Sequence, residues 1–327
     1  MKQGLIFANS CAKAKETGLF SEERLYRMIE AKTFDDALRV LAEVNYGGGI
    51  NVNKDNFHEA LKEEERVASA FVRECAPEKI GLDCFFLRND YHNLKVLFKK
   101  KYANLSDISD LILPDGVYTF EQLKSCFEES KLDVLDTDMA NLAKKIELKH
   151  ETNQLTSRYI DVETDKTLYR KINSVLSSKD TDKYIKQYFV AYVDTTNIET
   201  LVRTKIIKAD TGFFEENFLE GGSIELKDFL ECGFDETKIA KLAERNGYKK
   251  LYGEIDGTDL SGYETARDDY LLKIFSDNKT DMLSVAPIVG YYLAKLNEVR
   301  VLRLVLICKK NGVSEGLMKK RVRNLYA

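Results

Sequence analysis

The sequence predicts an all-α protein, and three observations support this. Apolar residues recur every three or four positions over long stretches, as they do on one face of a helix. Only three prolines occur in 327 residues, so little interrupts long helices. No strand-like alternation of apolar and polar residues persists beyond about four or five positions. The length, with 44% apolar and 32% charged residues, allows a substantial core and two or three domains.

One helical stretch returns twice along the chain at a constant interval. Residues 93–101 resemble 197–205 and then 301–309, an offset of 104 positions each time. The matched apolar positions include Leu94, Ile198 and Leu302, and a lysine closes each copy (Lys101, Lys205 and Lys309). A coincidence among amphipathic helices is the simpler interpretation, because all of them repeat apolar residues at such spacings.

A second match beside the first two copies argues against coincidence. At an offset of 106 the residues Gly116, Tyr118, Phe120 and Leu123 are matched by Gly222, Ile224, Leu226 and Phe229. We expect no such flank for the third copy, because the chain ends soon after it. The repeat predicts three similar helical units, at residues 1–110, 111–215 and 216–327, each burying an apolar face against its neighbours.

Each predicted unit has a few small helices followed by two longer ones, the last of which carries the repeated stretch. In the first unit we predict helices from Ser21 and from Phe34, and a charged helix over 57–76 that Pro77 ends. The second unit has small helices around 119–130, one long polar helix over 138–176 and the repeated helix over 180–208. The third unit has predicted helices at 226–232, 236–246, 263–275, 287–310 and 314–326.

Charge and cysteine content exclude several classes of protein. A net charge of −4 argues against a general nucleic-acid binder, which would need cations to neutralise phosphates. The six cysteines form no CxxC pair, which is typical of reduced thiols in the cytoplasm. We find no export signal, and the apolar run over 299–308 falls short of the about 18 to 20 residues that span a bilayer. Any membrane association is therefore expected to be peripheral.

The motifs that could carry chemistry lack their partners. Residues 312–316 form a G-x-S-x-G sequence, but a nucleophilic Ser314 would need a later histidine, and the three histidines, at 58, 92 and 150, all precede it. We interpret Ser314 as a helix N-cap. The glycines at 47–49 and 221–223 lack the residues of a phosphate-binding loop, which indicates turns. Asp90 and His92 point to different helix faces, so we predict no catalytic, cofactor-binding or metal-binding residue.

Charge is distributed unevenly along the last third of the chain. Residues 215–236 contain eight acidic residues against one lysine, whereas residues 295–327 contain nine basic residues against two acidic ones. Solvated helix faces are the simpler interpretation of such runs. The alternative is that the two regions meet different partners, in which case the basic segment Lys319–Arg323 would face a partner or anionic lipid.

Three stretches together resemble the C subunits of the bacterial and archaeal V-type (A-type) ATPases and ATP synthases, a family related to the d subunit of the eukaryotic V-ATPase. They are residues 87–95 (LRNDYHNLK), 197–205 with 219–224, and 287–295 followed by 298–303. The resemblance spans the chain. Two positions depart from it: Lys13 and Lys15 stand where the family has arginines, and Leu296 stands where it has glutamate after the lysine.

The resemblance implies a funnel-shaped all-α protein with three units about a pseudo-threefold axis. It implies a non-catalytic rotor subunit on the cytoplasmic face of the membrane, without a cofactor. Its partners would be the central-stalk subunits of D and F type and the membrane ring of c/K-type proteolipid subunits. Its role would be to pass torque between the stalk and the ion-carrying ring, during proton or sodium transport or ATP synthesis. A cytosolic helical-repeat scaffold for another protein partner is the alternative, and a hydrolase is a more distant one.

Overall fold

The computed structural model describes residues 2–48, 50, 52–77, 80–103 and 105–325. Helices dominate these residues, which contain no strand beyond one isolated bridge between Asp256 and Asp259, and the all-α prediction is confirmed. The first eight helices are α1 (Lys2–Glu16), α2 (Glu22–Glu30), α3 (Phe34–Ala42), α4 (Phe57–Cys75), α5 (Asp83–Tyr102), α6 (Phe120–Glu128), α7 (Thr137–Glu151) and α8 (Ser157–Leu176). The remaining eight are α9 (Lys183–Ile206), α10 (Thr211–Asn217), α11 (Leu226–Cys232), α12 (Glu236–Arg245), α13 (Lys249–Tyr252), α14 (Ser261–Ser276), α15 (Ala286–Lys310) and α16 (Glu315–Arg321).

The chain forms two compact units. The terminal unit joins the two ends of the chain, Met1–Glu78 with Lys250–Ala327, and the central unit is Lys79–Lys249. In the terminal unit α15 packs against α1, α3, α4 and α14, while in the central unit α5 packs against α6 and α8. The division into three units at residues 110 and 215, the funnel and the threefold axis stay predictions.

The three copies of the repeated stretch lie in the long helices α5, α9 and α15, as predicted. Leu94, Ile198 and Leu302 are each fully buried. Leu302 belongs to one buried cluster with N-terminal residues such as Leu25 and Phe57. The apolar stripes identified in the sequence are therefore the core faces of these helices.

Local chemistry explains where several helices begin and end. The side chain of Ser21 accepts a hydrogen bond from Arg24 N, and Thr119 forms a capping box with Gln122, so α2 and α6 begin as the sequence predicts. The helix α4 ends at Cys75, just before Pro77.

The predicted single helix over 138–176 was wrong, since the structure contains two helices there, α7 and α8. Asn153 takes a left-handed conformation (φ 53°), which ends α7. Thr156 then caps α8 by accepting a hydrogen bond from Tyr159 N at 3.0 Å. Residues 149–154 (KHETNQ) contain no apolar residue, so a gap in the apolar spacing marks this break, which the sequence prediction overlooked.

Candidate functional site: buried carboxylates on the repeated helices

The residues considered for catalysis each have local contacts of their own. Ser314 is exposed at the N-cap of α16, as the sequence predicted, although its side chain makes no capping hydrogen bond. His92 Nε2 lies 2.9 Å from the carbonyl oxygen of Leu111, and the ring of His150 contacts Tyr102. Within the described ranges no group of three or more histidine, cysteine or acidic side chains could hold a metal ion. Gly221 has the positive φ typical of a turn, and Gly49, the last residue of the other glycine stretch, lies outside the described residues.

Asp90 binds the loop that leads into α6. Its side chain is fully buried on α5, where its carboxylate accepts hydrogen bonds from Val117 N at 2.8 Å and Tyr118 N at 3.2 Å. One turn later, the Asn93 amide donates to the carbonyl oxygen of Leu113 at 2.8 Å and accepts from Leu113 N at 2.9 Å. Two side chains of one helix thus hold both ends of a short loop segment.

Asp194 does the same for the loop that leads into α11. Its fully buried carboxylate on α9 accepts from Ser223 N at 2.8 Å and Ile224 N at 3.0 Å. It also accepts from the hydroxyls of Ser223 at 2.6 Å and Tyr248 at 3.0 Å. The two backbone donors follow those of Asp90 by 106 residues, which is the flank offset seen in the sequence.

Asn197 completes this second copy. It exchanges two hydrogen bonds with the backbone of Leu219, at 2.8 and 2.9 Å, as Asn93 does with Leu113. The helix residues are 104 positions apart in the two copies and the loop residues 106. Four matched side chains that bind matched backbone atoms are not explained by coincidental amphipathic spacing.

Glu298 on α15 occupies the third equivalent position, 104 residues after Asp194. Its carboxylate accepts hydrogen bonds from Phe20 N at 2.6 Å, the Tyr46 hydroxyl at 2.9 Å and Lys295 Nζ at 2.7 Å. Phe20 immediately precedes Ser21, the N-cap of α2. The expectation that the third copy lacks a flank was therefore wrong, because the flank stands at the other end of the chain.

The aspartate sites require glycine, whereas the glutamate site does not. A Cβ added at Gly116 would lie 1.9 Å from Asp90 Oδ1, and one added at Gly222 would lie 2.2 Å from Asp194 Oδ1. At Gly18, two residues before Phe20, the nearest atom would be 3.4 Å away. The short aspartate side chain reaches the amides only where the backbone comes this close.

Lys295 makes the third site ionic. Its side chain is 7% exposed and lies between Glu298, at 2.7 Å, and Glu64, at 3.1 Å. Burial lowers the pKa of Lys295, but the two carboxylates outweigh this and hold it above its ordinary value. Burial first, and then the Glu298 carboxylate, raises the pKa of the Tyr46 hydroxyl well above its ordinary value.

These three sites attach other segments of the chain to long helices. The sequence analysis considered Asp90 only with His92, as a metal ligand or a proton relay, and missed Asp194 and Glu298. The signal was an acidic residue four positions before the matched Leu94, Ile198 and Leu302 in every copy. A buried carboxylate needs several donors, so its repetition at a fixed offset could have pointed to a repeated loop contact.

The basic C-terminal segment has partners within the chain. Lys319 Nζ lies 2.6 Å from a carboxylate oxygen of Glu315, and Arg323 Nε lies 2.7 Å from one of Asp268. The side chain of Lys320 lies outside the described residues. The pairing favours the interpretation of this segment as a helix surface, and its contact with a partner or lipid stays a prediction.

Comparison with known proteins covers nearly the whole chain. The family described as ATP synthase (C/AC39) subunit matches residues 8–321. The C subunit of the V-type sodium ATPase of Enterococcus hirae is 27% identical over 329 residues, which are 97% of this chain and 98% of that protein. The C subunit of the A-type ATP synthase of Pyrococcus abyssi is 26% identical over 341 residues, covering 98% and 90% of the two chains.

A further relative belongs to the same kind of enzyme. The C subunit of the A-type ATP synthase of Methanosarcina acetivorans is 27% identical over 328 residues, which cover 91% of this chain and 83% of that protein. None of the helices in the described ranges is both long and apolar enough to cross a bilayer. With a match that leaves out only a few residues at each end, the chain belongs to the ATP synthase (C/AC39) subunit family.

Proposed function

We propose that this chain is a non-catalytic rotor subunit of a V/A-type ATPase or ATP synthase. It joins the central shaft to the membrane rotor ring and passes torque between them. The observation that carries the proposal is the family match over residues 8–321, together with relatives named as the C subunits of such enzymes over almost their full length.

We also propose which subunits contact the chain in the assembly. The shaft subunits of D and F type bind one side, and the c/K-type proteolipid ring binds the other. The chain is peripheral at the cytoplasmic face, and ATP turnover belongs to other subunits. The proposed role requires no catalytic, cofactor-binding or metal-binding residue in this chain.

The buried carboxylates support a mechanical role. A part that carries torque must not shear internally, and close-packed helix cores deform little. Asp90, Asp194 and Glu298 each accept two to four hydrogen bonds from residues outside their own helix, and hydrogen bonds to an ionised group are the strongest type in proteins. A load applied to such a loop therefore reaches the helix with little local movement.

The test uses membranes from cells that lack the chain and from cells in which it is restored. We expect ATP-driven ion uptake into vesicles to disappear without the chain, while the hydrolytic part, released from the membrane, still turns over ATP. Affinity purification of the restored chain from gently solubilised membranes should recover shaft and ring subunits. Normal ion uptake without the chain, or recovery of unrelated proteins alone, would support a scaffold instead.

The same cells test the absence of catalysis. Replacing Ser314 by Ala should leave both ATP turnover and ion uptake unchanged, because Ser314 is exposed and its side chain makes no capping hydrogen bond. A large loss of turnover in an assembly of normal composition would contradict the non-catalytic role.

A further inference from the structure

A row of cations on α5 faces α8, and two of its members have carboxylate partners. Lys99 Nζ lies 2.7 Å from an oxygen of Asp161, and Lys95 Nζ lies 2.8 Å from one of Asp165. Both carboxylates are on α8, one turn apart. Each of these two lysines therefore has a carboxylate partner on the neighbouring helix.

Arg88, seven residues before Lys95, is on the same face, but α8 and α9 supply tyrosines there. Its Nη2 donates to the Tyr192 hydroxyl at 3.1 Å, and its Cζ lies 4.6 Å from the centre of the Tyr192 ring. Tyr169 of α8 stacks on Tyr192 with ring centres 5.6 Å apart. Among the described residues no carboxylate oxygen lies within 4.0 Å of the Arg88 guanidinium.

Another arginine in the central unit shows how such a stack is completed within the chain. Arg158 Cζ lies 3.8 Å from the centre of the Phe213 ring, and its Nη2 also lies 2.9 Å from a carboxylate oxygen of Glu216. Arg88 has the aromatic partner without the carboxylate. Since a guanidinium stays charged at all physiological pH, its charge is left without an ionic partner in the described part of the chain.

Arg88 and Tyr192 remain partly exposed in the folded chain, so a group from another molecule can reach them. The planar guanidinium fork matches the two oxygens of a carboxylate. One cation with neutral tyrosines suits a single negative charge. Arginine and tyrosine are also among the residues that most often dominate binding energy at protein interfaces.

We propose that Arg88, framed by Tyr169 and Tyr192, binds an aspartate or glutamate side chain of a partner protein in the rotor assembly. This rests on the proposed function, since it needs an assembled partner to supply the carboxylate. We call this contact the anchor, because it fixes the orientation of the two proteins. The partner's carboxylate pairs with Arg88, as the carboxylates of α8 pair with Lys99 and Lys95.

The test measures binding of the purified chain to solubilised membrane sectors from which the chain has been stripped, over a salt series. We expect Arg88→Met to weaken binding about 10- to 100-fold, the range typical of a hydrogen-bonded charged group, and to reduce its salt dependence. Arg158→Met is the matched control, because that arginine is stacked but already paired, and its binding should equal that of the wild type. Arg88→Lys should recover part of the affinity.

A second measurement separates a binding role from a structural one. The melting temperature of the isolated Arg88→Met chain should fall only slightly, because the substitution removes a hydrogen bond and a ring contact with Tyr192 but no ion pair. Unchanged affinity of Arg88→Met, or an affinity loss matched by unfolding of both Arg88→Met and Arg88→Lys, would overturn the inference. The inference would also be overturned if the wild-type chain bound vesicles of anionic lipid, Arg88→Met did not, and both bound the sectors equally well.

The wild-type result distinguishes the two proposals. If the wild-type chain binds the sectors and Arg88→Met binds equally well, only the anchor is wrong. If the wild-type chain does not bind at all, the rotor function and the anchor both fail.

Discussion

Asp90 and Asp194 in the central unit each bind a loop that follows shortly in the chain, whereas Glu298 in the terminal unit binds a segment 278 residues earlier. Both aspartate sites have two backbone amides and a glycine that lets the carboxylate approach, and the Asp194 site also has two hydroxyls. The glutamate site has one amide, a tyrosine and a buried lysine. The repeat keeps a buried acceptor at one helix position, and the donors around it differ.

The difference shows how one contact can be made at short and at long sequence distance. A loop that leaves and returns locally can be shaped by glycine so that a short side chain reaches it. In the terminal unit, α1 leads directly into the contacted segment, and no comparable close approach occurs at Gly18. There the longer glutamate spans the gap, and Lys295 and Tyr46 satisfy the rest of its charge.

The largest expected effect comes from removing the charge of Glu298. Glu298→Gln leaves Lys295 paired with Glu64, so the cost should lie at the lower end, about 3 kcal/mol, of what breaking a buried ion pair typically costs. We expect a loss of this size in the free energy of unfolding, measured by urea denaturation. The control is Glu315→Gln, whose carboxylate pairs with Lys319 at the solvent-exposed surface and should leave the free energy of unfolding almost unchanged. Similar losses in the two variants would show that the buried ion pairs of Lys295 stabilise the fold no more than a surface ion pair does.

The next effect tests the glycines. Gly116→Ala and Gly222→Ala place a Cβ against the carboxylates of Asp90 and Asp194, so hydrogen bonds to a buried charge must break, at about 2–3 kcal/mol each. Gly18→Ala should be neutral within about 1 kcal/mol, because its nearest neighbour would be 3.4 Å away. Thermal or urea unfolding of the three variants gives the comparison. Equal losses would mean that the two kinds of site do not differ in this respect.

A smaller effect should be the same in both units. Thr119→Ala and Ser21→Ala each remove a helix N-cap next to a carboxylate site, and each should cost about 1 kcal/mol. Urea unfolding measures both losses, and Thr119→Ser is the control, because its hydroxyl can still cap α6. A much larger loss of stability at one of the two caps would show that the units differ in their helix caps as well as in their carboxylate sites.

The last effect is a change in pH dependence. The pKa of Tyr46 and the pKa of Lys295 both lie above their ordinary values of 10.0 and 10.5, so the folded chain keeps protons that the unfolded chain loses. The stability from these groups is therefore complete below those values and falls as the pH rises above about 10. Tyr46→Phe should flatten this fall, as measured by urea unfolding at a series of pH values on both sides of about 10. An unchanged slope would mean that Tyr46 does not retain its proton.

Much of the fold could be predicted because helix periodicity is a local property. The repeated helices α9 and α15 were predicted within a few residues of their ends, since apolar spacing defines both and Gly312 follows α15. The break at Asn153 was missed because the polar run over 149–154 also fits the exposed surface of a long polar helix, and the sequence does not show which residue takes a left-handed conformation.

The carboxylate sites depend on contacts that periodicity does not report. The offsets of 104 and 106 in the sequence did identify the loop segments that Asp90 and Asp194 hold. They could not show that Glu298 binds Phe20, because a search that moves forward along the chain stops at its end. Which donors surround a buried carboxylate follows from packing in three dimensions.

The union of both chain ends in the terminal unit has a consequence for synthesis on the ribosome. The central unit is complete once Lys249 has emerged, whereas Phe20 must wait 278 residues for Glu298. At about 5–20 residues per second this delay is on the order of 15 to 55 seconds. During it α2, α3 and α4 lack α15, against which their apolar faces later pack. We therefore expect ribosome-bound chains whose emerged part ends soon after Lys249 to resist protease in the central unit while the N-terminal helices are cut or held by chaperones.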